Sequence, residues 1–155
     1  MDEVTYRAAY KSEWDICMDL AWRTFLKFDA PDYPQEGIDN FREFVTDEVL
    51  KDMFHAGEYQ LFVAVCEGEI IGIISLRDRN HISLLFVDQD YHRQGVGTGL
   101  LQTLTEYMSS EMGQKSVTVN ASPYAVGFYH KMGFEDTDTR QLVSGILYTP
   151  MILYI

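Results

Sequence analysis

Two hydrophobic rhythms divide the chain. Val4-Thr5-Tyr6-Arg7-Ala8-Ala9 alternates and predicts an opening strand. Ser12-Glu13-Trp14-Asp15 has capping-box form, so Ser12 is expected to open a helix that Ile16, Leu20, Trp22 or Arg23, and Leu26 carry forward. Asp29-Ala30-Pro31-Asp32-Tyr33-Pro34 breaks it. A second helix runs from about Gln35 with Ile38, Phe41, Phe44 and Val45. The stretch Val49, Leu50, Met53 and Phe54 either continues it or forms another short helix. Tyr59 to Cys66 predicts a strand, Glu67-Gly68-Glu69 a tight turn, and Ile70 to Leu76 the hairpin partner. His81 to Val87 is the next strand, and Leu100 to Met108 is amphipathic. Ser116 to Val119 reads as a β-branched strand ending at Asn120. Ser122 and Pro123 suit the start of a last helix, and Gly133 suits its stop. Thr139 to Tyr148 and Pro150 to Ile155 are expected to form two strands around Thr149-Pro150.

Length and composition narrow the class. The 155 residues suffice for one domain, residues 1–155, with a real core. Apolar residues make up 46% and aromatics 14%, so the chain is globular rather than disordered. No apolar run approaches about 18 residues, which predicts no membrane span. Met1-Asp2-Glu3 lacks the basic start of a signal peptide. Cys17 and Cys66 form no metal or disulfide framework and read as buried thiols of a cytoplasmic protein. The net charge of −12 argues against nucleic-acid binding and would steer cationic substrates inward, although solubility alone also accounts for it.

The chemistry concentrates in His92-Arg93-Gln94-Gly95-Val96-Gly97-Thr98-Gly99, between a strand and a helix. Glycines let backbone approach a ligand, and the free N–H groups of a helix's first turn favour phosphate. A P-loop is excluded because no lysine follows the glycines. A dinucleotide fingerprint fails because Leu100 holds its third glycine position and Gly99 falls one residue early.

The stretch from Leu85 to Leu101 instead resembles the acetyl-CoA-binding segment of the GCN5-related N-acetyltransferase (GNAT) superfamily, [QR]-x-x-G-x-[GA], with His92 at the Gln/Arg position. A second segment, Ser122-Pro123-Tyr124-Ala125-Val126-Gly127-Phe128-Tyr129-His130-Lys131-Met132-Gly133-Phe134, resembles that superfamily's other hallmark. Both occur in the family's order and at about its spacing. The resemblance implies an α/β (α+β) fold: a mixed, mostly antiparallel central sheet with helices on both faces. The expected element order is β-α-α-β-β-β-α-β-α-β-β.

The resemblance also implies acetyl-CoA as co-substrate, no metal, and direct acetyl transfer to an amine of a small molecule, peptide or protein in a ternary complex. Its cofactor residues would be Phe86, Val87, His92, Arg93, Gln94, Gly95, Val96, Gly97, Thr98, Gly99, Asn120 and Tyr129. Tyr129 would protonate the departing thiolate. Phe86 and Val87 would offer backbone to the pantetheine arm, and Asn120 would reach the arm's amides or merely end a strand. His81 is the base candidate, since its ordinary pKa suits the work, or else a surface residue. Ser83 shares its face. Asp32, Tyr33 and Glu36 would shape the acceptor pocket or form a solvated loop.

Two other readings stay open: an acyl-CoA sensor without turnover, and a nucleotide-binding domain. A homodimer paired through Ile146-Leu147-Tyr148 and Met151 to Ile155 competes with burial of those segments in the chain's own sheet.

Overall fold

The computed structural model describes residues 3–155. Its centre is an eight-stranded sheet in the order β1-β2-β3-β4-β5-β8-β6, with β7 also paired to β8. The strands are β1 (Val4–Ala8), β2 (Gln60–Cys66), β3 (Glu69–Arg77), β4 (His81–Val87), β5 (Ser116–Ala121), β6 (Glu135–Asp136), β7 (Gln141–Val143) and β8 (Ile146–Tyr154). Among the described residues five α-helices accompany them: α1 (Trp14–Phe28), α2 (Gln35–Val45), α3 (Glu48–His55), α4 (Val96–Met112) and α5 (Val126–Lys131). Every pairing is antiparallel except β4 with β5. The expected mixed α/β architecture is therefore present, with one more helix and one more short strand than the sequence order proposed.

Two apolar layers cover the two faces. On one, Leu100, Leu104 and Met108 of α4 are fully buried against Ile74, Leu76 and Val117. They recur every fourth residue, which puts them on one helix face. On the other face, Trp14, Cys17, Leu20 and Ala21 of α1 meet Val63, Ile73 and Leu84. Burying a residue of this size contributes about 1.5–3 kcal/mol, so alternation along β2 to β4 holds both layers in register.

Several local expectations shift for identifiable reasons. Ser12 does not cap α1. Glu13 accepts the Tyr10 N–H at 2.7 Å and both guanidinium nitrogens of Arg7 at 2.8 and 2.9 Å, so a 3-10 turn precedes the helix. Ile16 and Leu26 face solvent, because the buried stripe of α1 runs through Trp14, Cys17, Ala21 and Phe25 instead. α2 and α3 are separate helices, since the Asp47 carboxylate caps the Val49 N–H at 2.8 Å. The C-terminal strands break at Ser144-Gly145, not at Thr149-Pro150. Both turn residues take left-handed φ, 52° and 77°, as a tight hairpin requires. Pro150 lies inside β8, where its carbonyl still accepts the Thr137 N–H at 2.8 Å. Both edges of β8 are occupied by strands of the same chain; Met151 is buried there, while Tyr154 and Ile155 stay exposed.

No helix among the described residues is long and apolar enough to cross a membrane.

Candidate active site

The site forms where the sheet opens. β4 and β5 pair only at His81 with Thr118 and Ile82 with Val119, and then diverge. The β3–β4 ladder shifts register between Ser75 and Leu76, an irregularity that places Ser83 without a partner. Beyond it, the Asp88 N–H donates to the Ile71 carbonyl at 2.7 Å. By the alternation of an antiparallel ladder, Phe86 then turns its backbone groups to β3, whereas Leu85 and Val87 turn theirs into the gap toward β5. This corrects the expectation for Phe86: its side chain lines the site, but Leu85 and the N–H of Val87 supply the free backbone groups.

One cavity, about 450 Å³, runs from the gap to the glycine loop. Val87, Arg93, Gly95, Val96, Gly97 and Thr98 line it, with Phe28, Tyr124 and Phe128 opposite. Gly95 adopts φ 80° just before α4, and the first helical bond is from the Gly99 N–H to the Gly95 carbonyl at 2.9 Å. The N–H groups of Val96, Gly97 and Thr98 thus precede the ladder and face the cavity mouth, a site suited to a phosphate. A Cβ on Gly97 would stand 3.3 Å from the Phe128 ring and 3.9 Å from Val87, so the missing side chain is what keeps the cavity open.

Other loop residues serve the scaffold. The His92 Nε2–H donates to the Val87 carbonyl at 2.7 Å, its ring lies 4.7 Å from that of Phe28, and its Nδ1 faces the Tyr124 hydroxyl at 3.4 Å. His92 lines the cavity yet uses its N–H to lock the loop onto β4, which also occupies the Val87 carbonyl. Gln94 is exposed, ties to the Asp90 carbonyl at 3.1 Å and lies outside the cavity lining. Gly99 also lies outside it: a Cβ there would fall 2.2 Å from the Tyr6 ring, so this glycine lets α4 pack on β1. Thr98 directs its hydroxyl at the Met132 sulfur, 3.6 Å away.

A second cavity, about 420 Å³, lies across the gap. Phe25, Tyr33, Phe41, Phe44, Phe86 and Tyr148 give it aromatic walls, and His81, Ser83, Asn120 and Tyr129 also line it. Tyr129 and Asn120 thus line the second cavity rather than the first. Asp32 and Glu36 are exposed and line neither cavity. The connection carrying them is nonetheless pinned: Tyr33 donates to the Leu147 carbonyl at 3.2 Å, and Gly37 packs so closely on Gly145 that a Cβ would meet its carbonyl at 2.1 Å.

Asp29, Leu85, Phe86, Ser122 and Ala125 line both cavities and mark their junction. Every enclosed side-chain nitrogen or oxygen among the described residues has a hydrogen-bond partner. The Tyr129 hydroxyl has none, so although the residue is only 3% exposed, its oxygen opens onto the cavity it lines. Burial, reinforced by the nearby Asp29 charge, raises its pKa well above the ordinary tyrosine value and keeps it protonated. His81 is the reverse case. Its Nδ1 pairs with the Thr118 hydroxyl at 2.8 Å, and burial, helped by Arg77, lowers its pKa.

In the sequence Asp29 stands only as part of a helix break; the fold makes it a site residue. It is 8% exposed and accepts a hydrogen bond from the Ser122 hydroxyl at 2.9 Å on Oδ1. That bond also explains why α5 begins at Val126: Ser122 spends its hydroxyl on Asp29 instead of capping the helix. Burial pushes the Asp29 carboxyl up to about 6, against the lowering effect of Ser122 and with Asp32 adding to the rise. One signal was available in the sequence. An acid at the C-terminal end of a helix opposes the helix dipole, so its position there calls for a reason.

Among the described residues, no group of three or more His, Cys, Asp or Glu side chains could hold a metal.

The sequence matches the family model described as acetyltransferase (GNAT) domain over residues 29–155. It is 36% identical over 76 residues to the N-acetyltransferase YafP of Escherichia coli K12, covering 49% of this chain and 46% of that protein. It is 31% identical over 103 residues to an N-alpha-acetyltransferase of Sulfurisphaera tokodaii, covering 53% of this chain and 61% of that one. The chain thus spans about half the length of these curated relatives. Among solved structures, a GCN5-related N-acetyltransferase from Rhodopseudomonas palustris superposes with TM-score 0.86 at 24% identity, covering 100% of this chain and 98% of that one. The PaiA N-acetyltransferase of Thermoplasma acidophilum, solved with coenzyme A, gives 0.80 at 20% identity, covering 99% of each chain. Spermidine N-acetyltransferase from Vibrio cholerae, solved with CoA and spermine, gives 0.70 at 15% identity, covering 97% of this chain and 95% of that one. At these identities the structural likeness is one of fold. The family-model match covers most of the chain, and the protein belongs to the GNAT acetyltransferase family.

Proposed function

We propose that the protein transfers the acetyl group of acetyl-CoA to an amine by direct attack in a ternary complex. The observation that carries this reading is the meeting of two cavities at an opened sheet, one ending on free helix N–H groups and the other beside an unpaired, protonated tyrosine. The first cavity suits the donor. The N–H groups of Val96, Gly97 and Thr98 would hold its pyrophosphate, with Arg93 beside them. The backbone groups of Leu85 and the N–H of Val87, directed into the gap, would pair with the pantetheine arm as a strand would.

An N–H fixed there also polarises the thioester carbonyl. Such a donor is worth about 2.7–4 kcal/mol at the transition state where it has been measured in other acyl-transfer sites. Tyr129 would protonate the departing sulfur, since its hydroxyl proton is uncommitted and its neighbours keep it in place. Cys17 and Cys66, both free and buried, suit a reducing cytoplasm.

The test is initial-rate kinetics of CoA release with both substrates varied. Intersecting lines and strict amine dependence are expected. Acetyl-CoA binding without amine-dependent release by any primary amine would refute transfer and leave a sensor.

A further inference from the structure

The second cavity is chemically lopsided. Among the described residues, Asp29, at the donor end, is the one acidic side chain in its lining; the cationic or ionisable bases there are Arg77 and His81, at the other end. Arg77 lies opposite His81 in the β3–β4 register. His81 precedes Leu85 by four strand residues, or about 13 Å. The walls between are aromatic, from Phe25, Tyr33, Phe41, Phe44, Phe86 and Tyr148.

Resting on the acetyl-transfer reading, we infer that the acceptor is a small primary amine on an aromatic or otherwise apolar body, and that Asp29 holds its ammonium and takes its proton. Asp29 is nine-tenths buried, and its Oδ1 is fixed by Ser122. Among the described residues its Oδ2 has no hydrogen-bond partner and no enclosed side-chain oxygen is left without one, so Oδ2 opens onto the junction of the cavities. An ammonium is the complement of that oxygen. Burial raises the carboxyl to about 6 and lowers an ammonium brought to the same place, which eases transfer between them. Ser122 and Asp32 shift Asp29, and Tyr33 and Tyr129 feel its charge; none of these four is a cation, while Arg93 and His92 line the first cavity together with Asp29.

A polyamine would need a second carboxylate along the walls, where the cavity offers rings and then Arg77. The many acids behind the net charge of −12 are otherwise absent from this lining. An extended peptide is disfavoured because the β7–β8 hairpin is tied to α2. Asn40 donates to the Ser144 carbonyl at 2.6 Å, and Gly37 sits on Gly145.

The proton balance closes. The ammonium gives one proton to Asp29, which passes it to water. The nitrogen lone pair forms the C–N bond and the carbonyl pair moves to oxygen. When the oxyanion collapses, the C–S bond breaks and sulfur takes the Tyr129 proton. A second N–H proton of the acylated nitrogen restores Tyr129. The products are the amide, CoA thiol and one proton released to water.

The experiment uses the full chain with acetyl-CoA, measuring CoA release with 2-phenylethylamine, spermidine and a tripeptide with a free N-terminus. Phenylethylamine should exceed both in kcat/KM by roughly 100-fold, and Asp29→Asn should lower its kcat/KM by roughly 100-fold or more while the Kd of acetyl-CoA is unchanged. Asp29→Glu should recover part of the rate. Preference for spermidine or the tripeptide overturns the acceptor class, and an Asp29→Asn variant within about twofold of wild type overturns the assignment of Asp29. Loss of acetyl-CoA binding by the wild-type protein would overturn the transfer reading itself, a result distinguishable from both. Thermal unfolding confirms that the variant is folded.

Discussion

Asp29→Asn should make the protein more stable while lowering its kcat/KM, and the gain in stability should depend on pH. In the folded chain, burial raises the carboxyl from 3.8 to about 6, so holding it ionised costs the folded state about two pKa units. At 1.36 kcal/mol per unit this is about 3 kcal/mol. The group is only 8% exposed, so solvent screening does not erase the cost. The sign follows from linkage. Well below pH 3.8 both states carry the protonated acid and no cost applies. As pH rises from the unfolded value through about 6, the unfolded chain ionises first and the folded state loses stability.

Asparagine keeps an oxygen to accept the Ser122 hydroxyl and carries no charge to desolvate. The variant's advantage should therefore grow by about 2.5 kcal/mol between pH 4 and pH 8, which is about 5–10 °C in Tm for a domain of this size. Urea unfolding of both proteins at the two pH values measures it directly. A stability difference that does not change with pH would refute the buried-charge argument, whatever the activity of the variant.

Other substitutions separate the parts of the site. Tyr129→Phe should lower kcat by roughly 100-fold with the Kd of acetyl-CoA and the Tm nearly unchanged, because the lost hydroxyl has no partner; unchanged turnover would remove Tyr129 as the acid. Gly97→Val should fill the donor cavity against Phe128 and weaken acetyl-CoA by at least about tenfold, or 1.4 kcal/mol, in a titration of folded protein. Gly99→Ala should instead cost about 1–3 kcal/mol of stability by overpacking against Tyr6, and the part that remains folded should bind acetyl-CoA normally. Lost binding at an unaltered Tm would return Gly99 to the donor site. The kcat/KM of the wild-type protein should rise with an inflection near pH 6 as Asp29 ionises, and Asp29→Asn should lack that inflection.

What the sequence revealed and what it hid follow from the range of the interactions involved. β4 was legible to the residue, from His81 to Val87, because an apolar run between polar flanks defines a buried strand locally. The stop of α5 was legible because Gly133, with φ 96°, satisfies a backbone requirement few other residues meet. Its start was not, since Ser122 looks like a cap until Asp29, 93 residues away in sequence, takes its hydroxyl. The α1 stripe was misplaced because Ile16 and Leu26 fit a helical period as well as Cys17 and Phe25 do, and only the neighbouring sheet chooses between them.

The glycine loop divides in the same way. Its free helix N–H groups follow from sequence, but Gly99 serves the Tyr6 contact and His92 the Val87 carbonyl, both set by tertiary packing. The register shift at Ser83 hid the backbone direction of Leu85, because one unpaired residue inverts which groups face the gap. Asp29 was hidden for the most physical reason of all: an acid in a Pro-rich connection reads as solvated, and only the fold buries it.

The most direct test of the central claim is a calorimetric titration of acetyl-CoA into the purified protein, with NAD as the control ligand. The account predicts saturable one-to-one binding of acetyl-CoA and none of NAD. Absence of acetyl-CoA binding, or equal binding of NAD, would contradict it.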